Sequence, residues 1–484
     1  MISHIVPISA LLAGVALLLL GNGLLGTLLA VRGGIEGYSA PVLGLMGSGY
    51  FAGFLVGTAL APPLIRRIGH IRAFAFFAAA TAATALLHGL LVSPVAWVAL
   101  RVLGGTSLVS LYMIIESWLN SQAGREQRGR VFALYMVVNL GALAIAQQLL
   151  RLDSPADFTL FAVAALFICL ATMPVAATRL AQPATTEPGR FSPKKLWREA
   201  PVAASGGLLS GLTMGAFWTM GPVYAARIGL PGDGVALFMS ACIVGGALLQ
   251  WPLGAFSDSR DRRSALAITA FAAALAALPL VAGESLGRWS VAAIALYGGL
   301  AFAIYPMSVA HLVDHLRAED IVGGSSVLLL VHGIGAAIGP MLAGGLMALL
   351  GAKALAVHFA VAQVLLATIA WLATRRGAEQ ISEPAHFVPM VRTTPTVLEI
   401  MPTPDDFPPP SHAGEAASAE GANELAAEGQ ASAMPVLVDT RPAPPPSDGP
   451  DDGTPAATDC VGEAPAAGQA DGGNPTAGPS RRNE

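Results

Sequence analysis

Five charged side chains crowd the last six positions of the segment GAFSDSRDRR, Gly254 to Arg263: Asp258, Arg260, Asp261, Arg262 and Arg263. Carboxylates and guanidiniums at this spacing can form charge-assisted hydrogen bonds, about twice as strong as neutral ones. Isolated polar groups break other apolar runs: Arg101, Glu116 and His332, with His311 and Asp314 near the end of a further one. A charge at the centre of a bilayer costs about 3 kcal/mol or more, so such a group pairs, snorkels or faces a wet cavity. For Arg101 the alternatives are a structural pair with a carboxylate or carbonyl, and contact with a solute or coupling carboxylate. For Glu116 they are pairing with Arg125, Arg128 or Arg130, and a place in a coupling path. His332 either packs or carries a proton, since an imidazole titrates near neutral pH. Asn22, Asn139, Gln147 and Gln148 supply groups that bond to a neighbouring helix or to a solute. Trp218 and Tyr224 either pack, anchor at the membrane boundary or contact a solute.

Other chemistries are missing. No His-Glu-x-x-His or Walker Gly-Lys-Ser/Thr occurs in the sequence, which argues against a zinc protease and an ATP-driven pump. The one Gly-x-Ser-x-Gly, GESLG from Gly283 to Gly287, follows a long apolar spanning stretch rather than the strand a hydrolase nucleophile turn requires. GNGLLG, Gly21 to Gly26, spells Gly-x-Gly-x-x-Gly, but no strand precedes it and no acid follows at the required distance. Cys169, Cys242 and Cys460 are too scattered for a disulfide framework. The expectation is a protein that is not an enzyme, with no cofactor, no metal and no nucleic-acid partner.

These residues must be positioned by a chain of 484 residues that is 54% hydrophobic and 12% charged, with mean hydropathy +0.61. Soluble domains average about 25% charged residues. The charges are also segregated. Residues 1–376 carry 23 Lys and Arg against 14 Asp and Glu, whereas residues 377–484 carry 4 against 17 and hold 18 of the 35 prolines. The tail cannot bury enough apolar surface to offset its chain entropy, so disorder is expected there. Only FVPMVRTTPTVLEI, Phe387 to Ile400, has the apolar content to dock on something. A spanning helix needs about 20 mostly apolar residues. Stretches of that kind lie near 5–31, 41–65, 72–92, 94–119, 131–151, 157–180, 201–226, 234–254, 264–283, 288–311, 321–350 and 353–373. No Lys or Arg precedes the first, so it is not read as a cleaved leader. The fold class is therefore an all-α membrane protein with twelve transmembrane helices.

Lys and Arg set the orientation. With the N-terminus inside, the inner side receives 17 of them and the outer side 5, with Arg101 left within a helix. That bias places both termini in the cytoplasm. Shifting the chain by 192 residues lays Pro62, Arg66 and Gly69 on Gly254, Asp258 and Asp261, Trp97 on Trp289, and Gly14 and Gly23 on Gly206 and Gly215. The same register lays Gln147 and Gln148 on Gly339 and Pro340. The implied organisation is a six-helix bundle over 1–180, a basic cytoplasmic linker over 181–200, a parallel six-helix bundle over 201–376, and the Pro/Ala/acidic tail over 377–484. Parallel repeats of this kind are one architecture of secondary transporters.

GAFSDSRDRR resembles the loop signature Gly-x-x-x-Asp-x-x-Gly-Arg-Arg of the major facilitator superfamily, matching at Gly254, Asp258, Arg262 and Arg263, with Asp261 in place of the second glycine. The first-half copy, PPLIRRIGHIR, keeps Gly69 but has Pro62 and Arg66 at the Gly and Asp positions. RVLGGTS resembles that family's Arg-x-x-x-Gly motif through Arg101 and Gly105, and GIGAAIGPMLAG its Gly-x-x-x-Gly-Pro motif. GNGLLGTLLAVRG, RRIGHIRAFA, ESWLN, RGRVFALYMV and FVPMVRTTP are similar to the YcaD-like branch. The resemblance implies alternating access in the inner (plasma) membrane, with the first, fourth, seventh and tenth helices around a central cavity. Arg101, Glu116, Asn22, Asn139, Gln147, Trp218, Tyr224 and His332 are then the candidates for that cavity. Arg66, Gly69, Gly254, Asp258, Arg262, Arg263, His311 and Asp314 are candidates for a cytoplasmic gate. The expected function is secondary transport of a small solute coupled to protons, by a monomer in the bilayer. The alternative is a non-transporting sensor or scaffold of the same fold, acting through its acidic tail. A water-accessible cavity would favour the first, a packed midplane the second.

Overall fold

The computed structural model describes residues 2–122, 128–178, 191–317 and 320–375, without the side chains of 2–7 and 128. The tail from 377 and most of the basic linker lie outside the described residues. The chain is built from long helices, with no strand among the described residues. They are α1 (Ile8–Ile35), α2 (Ala40–Ile68), α3 (His70–Leu90), α4 (Pro94–Gln122), α5 (Gly129–Leu152), α6 (Thr159–Ala176), α7 (Pro201–Arg227), α8 (Gly232–Asp258), α9 (Arg262–Leu286), α10 (Trp289–Val313), α11 (Ile321–Leu350) and α12 (Ala354–Thr374). Eleven of them have the length and hydropathy of a membrane span by themselves. The other, α7, reaches it only together with a short connector helix, Pro193–Glu199, which meets it at a bend of 116°.

The shortfall of α7 has a physical reason. Its sequence carries Ser205, Ser210, Thr213 and Thr219 among glycines, and 21 of its 27 residues are buried. A helix shielded from lipid by its neighbours does not need an apolar surface, and small residues let those neighbours approach. α7 packs on α11, α10, α12, α8, α1 and α2.

Local signals set the boundaries. Pro41 and Pro201 occupy the first turns of α2 and α7, where a missing N–H costs nothing. Gly69 has φ +82° and turns the chain from α2 into α3, a conformation that strains residues with a Cβ. Asp261 caps α9 by accepting a hydrogen bond from the Arg263 backbone N–H at 2.9 Å.

The repeat register runs through the helices. At a shift of 192, Ala40 falls on Gly232, His70 on Arg262 and Gly129 on Ile321, each pair opening equivalent helices. Neighbour relations repeat as well. Contacts of α1 with α5 and α6, of α2 with α4, and of α3 with α4 and α6 recur as α7 with α11 and α12, α8 with α10, and α9 with α10 and α12. Gly53 faces the Val102 carbonyl where α2 meets α4, and its repeat mate Gly245 faces the Ala295 carbonyl where α8 meets α10. The first six helices meet the last six through α2 on α11, α5 on α8, and α1 and α2 on α7.

The α7–α11 seam is the tightest case. Gly211 and Gly215 lie on the carbonyls of His332 and Ala336, while Gly335 and Gly339 lie on those of Leu208 and Leu212. A Cβ at any of the four would collide with rigid backbone. Gly335→Ala is therefore expected to lower stability by about 1–3 kcal/mol. Gly345→Ala, on the same helix with nothing within 4 Å of the added carbon, should be neutral or slightly stabilising. Thermal unfolding of the two purified variants in detergent checks this; equal melting temperatures would refute the seam argument.

Candidate functional site

The start of α1 and the ends of α2, α4, α8, α10 and α12 lie at one end of the helices, here the N/C end; the other is the far end. A cavity of about 320 Å³ lies between the two sets of six helices. Its walls come from α2 (Phe51, Phe54), α7 (Trp218), α10 (Phe302, Tyr305) and α11 (His332), with Val109 of α4. These residues sit at mid-depth and in the N/C halves of their helices. The His332 ring lies 4.5 Å from the Tyr305 ring, and Trp218 lies 6.1 Å from Phe302 at a steep angle. α1 contributes nothing to this wall among the described residues, contrary to expectation; α2 and α11 take that place, and α1 lines the smaller pocket described next.

Phe51 and Trp218 also line a second, smaller pocket of about 30 Å³ toward the far end, so they separate the two chambers. The small pocket holds Arg101, Asn22, Thr27, Tyr50 and Thr219. The Arg101 guanidinium carbon stands 4.1 Å from the centre of the Tyr50 ring, a cation–π geometry that gains strength away from water. Asn22 donates to the Tyr50 hydroxyl at 3.3 Å. Thr27 donates to Gln147 Oε1, and Gln147 Nε2 donates to the Leu143 carbonyl at 3.1 Å. Arg101 is buried in the protein interior rather than turned to lipid.

Three candidates sit elsewhere. Tyr224 does not reach the cavity: its hydroxyl donates to the Leu280 carbonyl at 2.5 Å and its ring packs on Phe238. It braces the far end of α7, where an aromatic ring packs between helices. Glu116 is fully buried inside the first six helices and accepts a hydrogen bond from Tyr135 at 2.9 Å. Asn139 is beside it, donating to the Tyr135 carbonyl at 2.9 Å. These two form a polar core of the first bundle, away from the cavity wall.

Six of the eight gate candidates gather at the N/C end of the second six helices. Arg262 bonds to Asp258 at 2.9 Å, to Asp314 at 2.5 Å and to Ser257 at 3.3 Å. Arg263 reaches the Ala373 carbonyl at the end of α12. The charged loop thus ties α8, α9, α10 and α12 together within one half in this conformation. Desolvation works against ionisation of Asp261, but hydrogen bonds from the Arg263 side chain and backbone, with that guanidinium's charge, hold its carboxyl below the usual carboxylate range. His311 is buried with its ring 4.4 Å from that of His315. Gly254 is buried against neighbours, Gly69 makes its turn, and Arg66 is exposed at the position where Asp258 stands in the other half.

Between the two halves, Ser48 and Ser240 make hydrogen bonds toward the far end. On α2, Ser48 accepts from the Met341 backbone N–H of α11 at 3.1 Å. On α8, Ser240 donates to the Ala144 carbonyl of α5 at 2.8 Å and accepts from Gln148 at 2.7 Å. Ser48 and Ser240 coincide at the shift of 192. The repeat register thus held a signal for both serines, whereas Tyr50, Phe302 and Tyr305 offered none, being aromatic residues in apolar helices.

The profile of the Major Facilitator Superfamily matches residues 11–323 and 204–401. The MFS-type transporter YcaD of Escherichia fergusonii is 26% identical over 336 residues, covering 69% of this chain and 87% of that relative. The YcaD of Salmonella paratyphi A is 26% identical over 349 residues, 72% and 90% of the two chains. Among solved structures, the nucleoside transporter NupG aligns with a TM-score of 0.65 at 14% identity, over 77% of this chain and 99% of its own. A bacterial homologue of the human lysosomal transporter Spinster, inward-facing and occupied, gives 0.61 at 16%, over 78% and 98%. At those identities the likeness to the structures concerns the fold.

The Arg262–Asp314 pair has side-chain exposures of 9% and 6%, so removing one partner strands a buried charge. Arg262→Ala is expected to destabilise the protein by about 3–5 kcal/mol, and Arg262→Ala with Asp314→Ala by clearly less. Chemical or thermal unfolding in detergent reads both. A double variant no more stable than the single one would show that the pair is not what holds this corner.

Proposed function

The chain belongs to the major facilitator superfamily, and from that premise we propose that it is a secondary active transporter moving a small solute by alternating access, with protons as the coupling ion. The observation that carries the reading is the mid-depth cavity between two repeat-related bundles, closed at the far end by matched hydrogen bonds. Parallel repeats with a site at their interface are the architecture in which rocking exposes one site to each side in turn. A hollow midplane supports transport over the sensor reading, which called for a packed one.

The bias of 17 basic residues against 5 supports an inner-membrane orientation with both termini cytoplasmic. The cavity then lies in the cytoplasmic half, so the state is inward-facing. In the outward-facing state the charged loop closes against the first half, with Asp258 exchanging partners. His332 supports proton coupling: it is the cavity's one imidazole, carboxyl, amine or guanidinium among the described lining residues. Arg101, behind the Phe51–Trp218 partition, organises the polar pocket that becomes the passage when the far end opens.

Two measurements test this. Cysteines at Ser48 and Met341, in a background without native cysteines, should cross-link and stop uptake into proteoliposomes, with recovery on reduction. Full uptake at complete cross-linking would defeat alternating access through this seam. Arg101→Ala should abolish uptake while leaving a monodisperse protein, and Arg101→Lys should restore it only in part, because a point charge lacks the planar stacking surface of a guanidinium. Wild-type uptake by the alanine variant would remove Arg101 from the pathway.

A further inference from the structure

The cavity wall carries no Asp, Glu, Lys or Arg among its described residues. Its broad surfaces are aromatic: Phe51, Phe54, Trp218, Phe302 and Tyr305. Two of its polar side chains are spent on their own helices, Thr58 donating to the Leu55 carbonyl and Ser326 to the Val322 carbonyl, each at 2.8 Å. A charge entering such a chamber would lose its hydration with no opposite charge to replace it. A sugar would lose many hydrogen bonds and regain few.

The remaining polarity is local. Tyr305 lies against the His332 ring. Ser210 precedes Gly211, whose backbone rests on the His332 carbonyl. Ser210 and Tyr305 are both buried, and their hydroxyls have no hydrogen-bond partner among the described residues. Buried hydroxyls are normally paired, and those that are not call for an explanation such as a bound group. His332 itself is half-buried and on the wall. One edge of an otherwise apolar chamber is therefore able to hydrogen-bond. The volume, about 320 Å³, is at the small end of the range for pockets that hold drug-sized ligands.

From this we infer that the transported solute is a compact, uncharged, planar aromatic molecule with one hydrogen-bonding edge. Its rings lie against Trp218 and Phe302, and its polar edge turns to the Ser210–Tyr305–His332 side. This inference rests on the transporter reading for its word "transported", but the binding claim can be tested without it.

The test is equilibrium binding to full-length protein in nanodiscs, with empty nanodiscs subtracted for membrane partitioning. The probes are matched bicycles, quinolin-2-one, isoquinolin-1-one and coumarin, against quinoline-2-carboxylate, and glucose. At least one neutral bicycle should bind saturably, with the carboxylate and glucose weaker by about tenfold or more. Phe302→Ala should weaken the neutral probe by about fivefold or more through lost ring contact. Ser210→Ala, which removes the hydroxyl and adds nothing, should weaken it also, but leave binding of naphthalene, which has no polar edge, unchanged. Tighter binding of the carboxylate or the sugar, no saturable binding by any neutral bicycle, or indifference to Phe302→Ala would overturn the inference. Neutral probes that bind but are never moved into proteoliposomes would overturn the transporter reading and leave the binding site standing. Uptake of a charged or sugar solute would do the reverse.

Discussion

Everything in this molecule depends on helix backbones approaching each other more closely than side chains normally permit. Water is absent from the bilayer core, so apolar burial does not drive helices together there; packing and hydrogen bonds must. Glycine on carbonyl is the means used at α2–α4, α8–α10 and α7–α11. Those contacts are made at backbone atoms, which cannot rotate out of the way. Each bundle is consequently stiff. The seams between bundles also use glycine, as where Gly44 meets Pro340, and they add the far-end hydrogen bonds of Ser48 and Ser240. Stiff halves joined by seams that differ between their two ends are the mechanical requirement for rocking.

Charge is distributed in keeping with that mechanics. Asp258, Asp261, Asp314, Arg262 and Arg263 of the second half are engaged in ion pairs at helix ends, where Arg262 serves two carboxylates. Arg101 is held away from the main chamber, stacked on Tyr50. The chamber itself is left without a formal charge among its described lining residues. Under the proposed alternating access, which exposes one surface to each side in turn, the strongest electrostatic partners stay outside the region that changes solvent. The buried Glu116–Tyr135 bond belongs with them, inside one bundle.

The membrane character, the helix positions and the repeat were all legible in the sequence, because hydropathy and the cost of a buried charge act on single residues. Arg101 was legible as an interior group for the same reason. The cavity wall was not. Phe54 and Tyr305 are apolar residues in apolar helices, and nothing in one dimension distinguishes a ring that faces a void from one that faces a neighbour. Tyr224 shows the same ambiguity from the other side, since only the position of Leu280 reveals that its hydroxyl is engaged. Glu116 could be seen as costly, but its partner was set by how α4 and α5 lie, not by spacing. Ser48 and Ser240 lay between these cases. They stand in register in the sequence, but serine is too common in membrane helices for one coincidence to stand out.

The marginal hydropathy of α7 bears on how the chain is made. A nascent segment partitions into lipid by its own apolarity, and α7 has the least to offer of the twelve helices while carrying the largest share of polar and small residues turned toward neighbours. The connector helix before it is basic, with Lys194, Lys195 and Arg198, and would be retained on the side of synthesis. The partner that covers the glycine face of α7 is α11, which begins at Ile321, so the ribosome must deliver three further spans first. Until then α7 depends on helices already inserted, α1 and α2, which it touches in the finished protein. The first bundle thus acts as a template during biogenesis for a helix that the bilayer alone would hold poorly.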